Sequence, residues 1–228
     1  MRIKVWVVTA FIVLLTLAAA GCGQSPYPVY ERQDSEEYGI TVTIEGVVYQ
    51  MYPRTKWDLS PDRHPMGYAG SKETWMCWAE NDTEKNFVFL QDQWASMFYT
   101  PLHRTDREIP EPSEETVDNL YCLEYDFSNG AKEYTHNHVT DAEIIRALFE
   151  ALEAGTRTFD YESIADDYGI SITGYSTVVP GASYKLLVEW SGKKPVCGTA
   201  EEGCVEISVE LLESIMGHPF DPEKLLVE

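Results

Sequence analysis

Basic residues are scarce in this sequence relative to acidic ones. It contains 17 lysines and arginines against 38 aspartates and glutamates, which gives a formal net charge of −21. Residues 1–21 hold two of the basic residues and none of the acidic ones, so the rest of the chain carries −23. A nucleic-acid partner is disfavoured, because no basic stripe is present to neutralise phosphates. Charge-driven adhesion to an anionic bilayer is disfavoured for the same reason.

Short motifs that mark common catalytic sites are also missing. The sequence has no G-x-S-x-G, no glycine-rich phosphate loop and no H-E-x-x-H. It has no C-x-x-C pair either, which disfavours a structural zinc site. These absences predict a protein without a cofactor and favour a non-catalytic role.

Only the start of the chain carries a long apolar run. Residues 5–20 are almost wholly apolar and follow a short cationic stretch with Arg2 and Lys4. The run is shorter than the roughly 20 residues that a permanent membrane-spanning helix needs. Small residues follow it, so residues 1–21 are predicted to be a cleaved secretory signal.

The residues that end this run, Ala19-Ala20-Gly21-Cys22, resemble the lipobox of bacterial lipoproteins. In that family the chain is cut before the cysteine, and the cysteine sulfur then carries diacylglycerol. The resemblance implies that Cys22 is the lipid attachment site and that the body is anchored at the extracytoplasmic face of the cell membrane. Ala19 stands where the family usually has leucine, and an ordinary cleaved signal with a chance cysteine is the alternative. Two or more acyl chains would anchor firmly, because each buried methylene contributes about 0.8 kcal/mol.

Changes in composition divide the rest of the chain into four parts. Residues 22–37 are acidic and contain proline, which is typical of a solvated tether. Strand-like alternation predicts a small, mostly β unit over 38–104. Residues 105–117 hold two prolines and four glutamates, which favour a linker or surface loop. The remaining part, 118–228, is predicted as an α+β domain. The predicted fold class is therefore α+β, an antiparallel sheet with a packed amphipathic helix, plus a smaller, mostly β N-terminal unit.

The strongest local signal in the body is an Asn129-Gly130 pair between two strand-like runs. Asn-Gly favours a type I′ hairpin turn, because both residues tolerate positive φ. The register predicted from this turn pairs Tyr125 with Tyr134, Leu123 with His136 and Tyr121 with His138. One side of the hairpin is thus rich in tyrosine and includes both histidines.

A helix is predicted directly after the hairpin. Thr140 and Glu143 match a capping box, which satisfies backbone N–H groups at a helix start, and the helix covers 141–154. Its apolar side chains fall at helical spacing on one face. They are Ile145, Leu148, Phe149 and Leu152. We expect this face to pack against the tyrosine-rich side of the hairpin.

Four cysteines other than Cys22 are present, and an even number in an exported chain permits two disulfides. Cys197 and Cys204 flank a turn that contains two glycines, so their ends can meet and they are paired first. Cys77 and Cys122 then form the second pair by elimination.

Two sets of residues are candidate functional sites. His136 and His138 alternate along a strand and therefore point the same way, so they could share a metal ion with Asp141 as a third ligand. Plentiful aromatic residues suggest a ligand-binding platform, although most should be core residues. Its predicted members are Trp57, Trp94 and Tyr99.

The expected function is a lipid-anchored extracytoplasmic protein with a non-catalytic binding or assembly role at the cell envelope. Its partner would be an envelope protein, a peptide or a glycan. The alternatives are a metal-dependent hydrolase that uses the two histidines and Asp141, and a carbohydrate- or peptide-binding module that uses exposed aromatic residues. Residues 46–49, a glycine-containing loop and then 75–90 resemble small β modules of uncharacterised lipoproteins of Gram-positive bacteria. The capped helix followed by residues 180–184 carries a similar resemblance, and no activity comes with either.

Overall fold

A computed structural model describes residues 26–36, 39–51, 56–92, 99–127, 132–161, 168–192 and 194–221. The predicted signal, Cys22, Trp94 and the Asn129-Gly130 turn lie outside these residues. The strands are β1 (Val29–Ser35), β2 (Gly39–Ile44), β3 (Val47–Met51), β4 (Asp58–Leu59), β5 (Gly67–Ala69), β6 (Thr74–Trp78), β7 (Phe87–Asp92), β8 (Thr100–Arg104), β9 (Asn119–Asp126), β10 (Glu133–Val139), β11 (Tyr168–Tyr175), β12 (Ala182–Ser191), β13 (Lys194–Thr199) and β14 (Gly203–Glu206). The helices are α1 (Ala142–Ala154) and α2 (Val209–Met216).

Seven strands of the N-terminal part form a closed barrel in the order β1-β2-β3-β8-β7-β6-β5. Parallel pairing of β1 with β5 closes the ring, so residues 29–35 of the predicted tether belong to the barrel. The β2–β3 hairpin turns at Glu45 and Gly46, whose φ angles of 52° and 85° suit a tight two-residue turn. Apolar side chains fill the interior. They are Val42, Ile44, Tyr49, Ala69, Met76, Val88, Leu90 and Leu102.

Most of the remaining strands form a second sheet in the order β10-β9-β11-β12-β13-β14, with β4 paired to β12. Every pairing within this sheet is antiparallel. The predicted hairpin register is confirmed: Tyr125 pairs with Tyr134, Leu123 with His136 and Tyr121 with His138. The period-2 alternation of a strand therefore assigns each of these side chains to one of the two faces of the sheet.

Strand β7 joins the two units, because both of its faces are buried. Val88 and Leu90 point into the barrel, whereas Phe87 and Phe89 pack into the core of the second sheet. The same junction needs a glycine at Gly181, since a Cβ atom there would lie 2.4 Å from the carbonyl oxygen of Glu80. Barrel and sheet thus have separate cores that meet on the two faces of β7.

The predicted α+β fold class is wrong, because the described part of the chain is mostly β and contains only two short helices. Helix α1 does occur where it was predicted, and its buried residues are the expected Ile145, Leu148, Phe149 and Leu152. Its N-cap is Asp141, whose side chain accepts from the N–H of Glu143, rather than Thr140. The helix covers one end of a large β structure and does not define the architecture.

Helix α1 packs on the side of the sheet opposite to the one expected. The inward side chains of β9 are Leu120, Cys122, Glu124 and Asp126, and the tyrosines point outward. The Phe149 ring of α1 stacks on Tyr184 of β12, with ring centroids 5.9 Å apart. Two partners satisfy the buried Glu124 carboxylate, which lets this face lie inside: Tyr168 Oη donates to Oε1 at 2.8 Å, and His218 Nε2 lies 3.0 Å from Oε2.

The four described cysteines are buried free thiols, so neither predicted disulfide is present. Cys197 lies opposite Val205, and Gly198 lies opposite Cys204, which places the two thiols on opposite faces of the sheet. Burial raises the pKa of Cys77 to about 11 and that of Cys122 to about 12. The flexible turn at 198–203 made the first pair look plausible, but the strand register prevents it.

Candidate ligand-binding face

The outward side of the second sheet carries a group of aromatic rings on the β9–β10 hairpin. We call it the aromatic face, and it consists of Tyr121, Tyr125, Phe127, Tyr134 and His136. No outward position of β9, β10 or β11 holds Asp, Glu, Lys or Arg. In a chain with a net charge of −21, three adjacent strands with no acidic or basic outward residue are a distinct surface.

Direct contacts between the rings hold this surface together. Tyr121 stacks on His136 with centroids 5.4 Å apart, and its hydroxyl bonds to His136 Nδ1. Phe127 lies 5.4 Å from Tyr125 and 5.6 Å from Tyr134. Because neighbouring rings restrain one another, a ligand would meet a surface that is already ordered.

A glycine lets Tyr125 lie close to the sheet. A Cβ atom built on Gly169 of β11 would come within 2.2 Å of Tyr125 Oη, so the tyrosine side chain occupies the space that a side chain at 169 would take. The two residues are cross-strand partners. The absence of a side chain at 169 therefore allows Tyr125 to cover β11 rather than project into solvent.

Solvent reaches the aromatic face and the strand beside it. Tyr134 is 52% exposed, and Tyr175 on β11 is 43% exposed. Between these rings, β11 offers the hydroxyl groups of Ser171 and Thr173 on the same side. The face therefore combines flat apolar rings with neutral hydrogen-bonding groups.

The polar side of this face leads to a cavity of about 400 Å³ between the sheet and the barrel. Its lining is rich in hydroxyl groups and holds one side-chain amide, that of Asn81, together with Glu80 and the ion pair between Lys185 and Asp58. The full lining is Asp58, Ser60, Glu80, Asn81, Thr173, Tyr175, Ser176, Gly181, Ala182, Ser183 and Lys185. A second cavity of about 550 Å³ shares both members of the ion pair and is also lined by Trp57 and Glu111.

The predicted metal site is not assembled. His136 bonds to Tyr121, the Nε2 atom of His138 lies 3.3 Å from Asn119 Oδ1, and Asp141 caps helix α1. Across the ranges that the structure describes, no group of three or more His, Cys, Asp or Glu side chains is placed to hold a metal ion. The two histidines do share one side of β10, as the alternation predicted.

Of the three residues predicted to form an aromatic platform, the two that the structure describes, Trp57 and Tyr99, lie in different surroundings. Trp57 is only 2% exposed, and its Nε1 donates to the carbonyl of Pro110 at 2.7 Å, so it is a core residue. Tyr99 is 39% exposed and packs edge-on against Phe89, beside a smaller cavity of about 230 Å³. Trp94 lies outside the described residues. The exposed aromatic surface is on the β9–β10 hairpin instead.

Sequence reasoning identified the tyrosine-rich side of the hairpin but assigned it to the core. The signal that could have corrected this is the glycine at 169, which marks close approach of a ring inside a strand. Tyr175, Ser183, Asp58 and Lys185 were missed altogether. They come from three strands: β12 pairs with β11 at Ser183 and Tyr175, and with β4 at Ser183 and Asp58.

Comparisons with known proteins do not name a family. The chain matches no family model, no curated protein and no solved structure. Within the part of the chain that the structure describes, no helix is long and apolar enough to cross a bilayer. A function for this chain can therefore be proposed only from its sequence and from the geometry of the aromatic face and the adjoining cavity.

Proposed function

We propose that this chain is a non-catalytic binding protein that holds a neutral glycan on its aromatic face. The observation that carries the proposal is a set of contacting, partly exposed rings on strands whose outward positions hold no acidic or basic residue. Lys132, which precedes β10, lies over the Phe127 ring at the end of this set. Exposed aromatic clusters of this kind are uncommon on proteins unless they bind something. Flat rings pack against the C–H faces of sugars, and neutral side chains bond to sugar hydroxyls.

The polarity around the rings favours a glycan over a protein partner. Protein interfaces also collect aromatic residues and exclude charge at their centre, so the rings alone do not distinguish the two. Here, however, the rings adjoin hydroxyl groups on β11 and a cavity lined by Ser60, Asn81 and Ser183. Such a polar cavity suits a ligand that has many hydroxyl groups.

The charge of the chain supports a neutral ligand. With a net charge of −21, the protein would repel anionic wall polymers at long range. A basic partner would require carboxylates within the surface that binds it, and the outward positions of β9, β10 and β11 have none. The cavity beside them holds two, Glu80 and Asp58, of which Asp58 is paired with Lys185. The negative charge of the chain disfavours an anionic ligand, and the uncharged strand positions disfavour a basic one. A neutral polysaccharide or oligosaccharide is compatible with both observations.

The proposal also places the protein at the extracytoplasmic face of the cell membrane, held by a lipid on Cys22. The support is the signal-like start of the sequence and the lipobox resemblance of residues 19–22. A Cys22→Ser variant should be released from the membrane fraction, and the wild-type protein should remain in it. Equal membrane retention of both forms would contradict lipid anchoring.

Affinity gel electrophoresis tests glycan binding. The full chain carrying Cys22→Ser is run in native gels that contain mixed-linkage β-glucan, xyloglucan, galactomannan or dextran, and at least one of these should retard it. Tyr134→Ala should weaken the interaction about tenfold, since about 1.4 kcal/mol corresponds to a factor of ten. Tyr99→Ala is the matched control, because Tyr99 is a half-exposed tyrosine on the barrel.

Three results would count against the proposal. One is no retardation by any of the four polysaccharides, and another is an equal loss in the Tyr99→Ala control. The third is capture of an envelope protein that depends on Tyr134 in the absence of glycan binding, which would replace the glycan with a protein partner.

A further inference from the structure

The second sheet ends in two edge strands, β10 and β14, which differ in how far they are covered. Strand β14 has only four residues, and backbone hydrogen bonds of 2.8 and 2.9 Å join its Cys204 to Thr158. Strand β10 has seven residues, and β9 is the only described strand that pairs with it. Because the other large sheet is a closed barrel, the outer side of β10 is the longest open strand edge among the described residues.

Strand β10 lacks the main features that protect an open edge from pairing with another chain. Native proteins protect such edges with lysine, proline, bulges or very short strands. Residues 133–139 contain no lysine, arginine or proline, and all seven pair with β9 in an unbroken register. Five of the seven are exposed, and helix α2 contacts the strand near its end, where Asn137 Nδ2 donates to the carbonyl oxygen of Ile215 at 2.8 Å. Most of the edge is therefore accessible to a further strand.

A second copy of this chain can pair with this edge in a register that uses the whole strand. His136 is the central residue of β10, so antiparallel pairing about a two-fold axis at His136 aligns all seven residues of one copy with all seven of the other. Tyrosine then lies opposite histidine, hydroxyl opposite amide, and no two carboxylates lie opposite each other. The pairs are Tyr134 with His138, Thr135 with Asn137, and Glu133 with Val139. A shift in either direction would leave residues at the ends of the strands unpaired.

The charges at and around the edge are compatible with a second copy. Lys132 directly precedes β10 and would lie opposite Thr140 of the other copy, next to Asp141. Lys132 and Asp141 are both exposed, and the two-fold axis would place this pair of opposite charges at each end of the ladder. Two chains with a net charge of −21 repel each other at long range, but salt at physiological concentration screens charges beyond about 8 Å.

We infer that this chain forms a dimer in which the β10 strands of two copies pair antiparallel around His136. The second sheets of the two copies then form one continuous sheet, and the two aromatic faces meet on its outward side. The dimer depends on the strand edge and does not depend on glycan binding. If glycan binding also holds, Tyr134 of one copy and His138 of the other belong to the same ligand-binding surface.

Cysteine cross-linking tests the register. Directly opposed residues of antiparallel strands have Cα atoms about 4.5 to 5.5 Å apart, which is within the range of a disulfide. The full chain carrying Cys22→Ser and His136→Cys should therefore form a covalent dimer under mild oxidation. Tyr134→Cys and His138→Cys are the matched controls, because both positions are exposed on the same side of β10 but each lies about 14 Å from its own copy in this register. Each control alone should stay monomeric, whereas a mixture of the two should cross-link.

A charged residue at the centre of the ladder tests the interface itself. His136→Glu places two carboxylates directly opposite each other, so the dissociation constant of the dimer should rise about fivefold. His136→Gln is the matched control, because it alters the same contact with Tyr121 but adds no charge. Sedimentation equilibrium in the Cys22→Ser background measures both constants. Without a change at 136, the dimer fraction should rise with ionic strength between about 0.01 and 0.15 M, because screening of the net charge favours association.

The outcomes bear on the dimer separately from the proposed function. Sedimentation as a monomer at every concentration up to the solubility limit overturns the dimer. Cross-linking of His136→Cys that is no greater than that of Tyr134→Cys overturns the register, and an equal effect of glutamate and glutamine at 136 overturns pairing through β10. Retardation in polysaccharide gels would stand in each of these cases, and a lack of retardation would leave the dimer intact.

Discussion

The two sides of strand β9 differ in a way that reverses the usual rule for a sheet. Its inward side buries Glu124 and Asp126, which are 6% and 9% exposed, and its outward side shows tyrosines to solvent. Buried carboxylates require partners, and Glu124 has them in Tyr168 and His218. The outward tyrosines need no such partners, because they remain partly exposed and pack on neighbouring rings and on Gly169. The inward side is therefore explained by stability, and the outward side is the one on which we propose ligand binding.

The largest expected effect on stability comes from the inward side. Glu124→Ala removes the acceptor of the Tyr168 hydroxyl and the partner of His218, so the free energy of unfolding should fall by about 3 kcal/mol. Tyr134→Ala on the outward side should change it by less than about 0.5 kcal/mol. Urea denaturation of both variants measures the difference, and similar losses would remove the contrast between the two sides.

Tyr168→Phe should lower the stability by about 1 kcal/mol at neutral pH, because the hydrogen bond to Glu124 is lost. Burial raises the pKa of Tyr168 well above its ordinary value, and the bond to Glu124 raises it further. The folded state therefore holds this proton more tightly than the unfolded state, so wild-type stability is lost as the pH rises above about 10.

The loss of stability at alkaline pH distinguishes the contribution of Tyr168 from that of the other tyrosines. Stability of the Tyr168→Phe variant should decline less steeply above pH 10 than that of the wild type, and Tyr134→Phe should follow the wild type. Parallel curves for wild type and Tyr168→Phe would show that the buried hydroxyl does not contribute to the alkaline loss of stability.

Gly169→Ala should displace the Tyr125 ring, because the added Cβ atom would lie 2.2 Å from Tyr125 Oη. The end of a flexible side chain can move, so we expect a stability loss of about 1 kcal/mol together with weaker glycan binding. Near-ultraviolet circular dichroism and affinity electrophoresis follow the two effects. If the double variant Gly169→Ala/Tyr125→Ala is no more stable than the sum of the single changes predicts, the clash does not exist.

The smallest effect concerns the thiols. Cys122 lies on the inward side of β9, and burial, with the nearby Glu124 carboxylate, raises its pKa to about 12. All four described thiols should react slowly with a disulfide reagent at pH 8 and rapidly after unfolding. Fewer than four reactive thiols in the unfolded protein, with Cys22 replaced by serine, would instead indicate a disulfide.

Local signals in the sequence were sufficient for the β9–β10 hairpin and for α1. The hairpin register follows from residues within a few positions of its turn, and the buried positions of α1 follow from helical spacing. The sidedness of the hairpin depends on distant residues, since Tyr168 and His218 lie 44 and 94 positions from Glu124. Hydrophobicity alone therefore placed the wrong side in the core.

The cavity and the barrel could not be predicted from local sequence patterns either, because both depend on contacts between residues far apart in the chain. Trp57 is buried in a cluster with residues distant in sequence, and its indole bonds to Pro110, 53 residues away; the cavity is lined by segments as far apart as β4 and β12, which pair with each other. Barrel closure depends on parallel pairing of β1 with β5, which no alternation pattern in either strand specifies. Each of these features depends on contacts between residues distant in sequence.

Strand β7 determines how the molecule can come apart. Phe87 and Phe89 belong to one core, and Val88 and Leu90 belong to the other. Unfolding of either unit therefore exposes the apolar side chains on one face of β7 to solvent. Unfolding should therefore be a single cooperative transition, and a chain cut between the units would expose two phenylalanines on the barrel and aggregate. Glycan binding to the sheet should therefore also raise the melting temperature of the barrel. A spectroscopic signal from the barrel can then be used to detect a ligand bound on the second sheet.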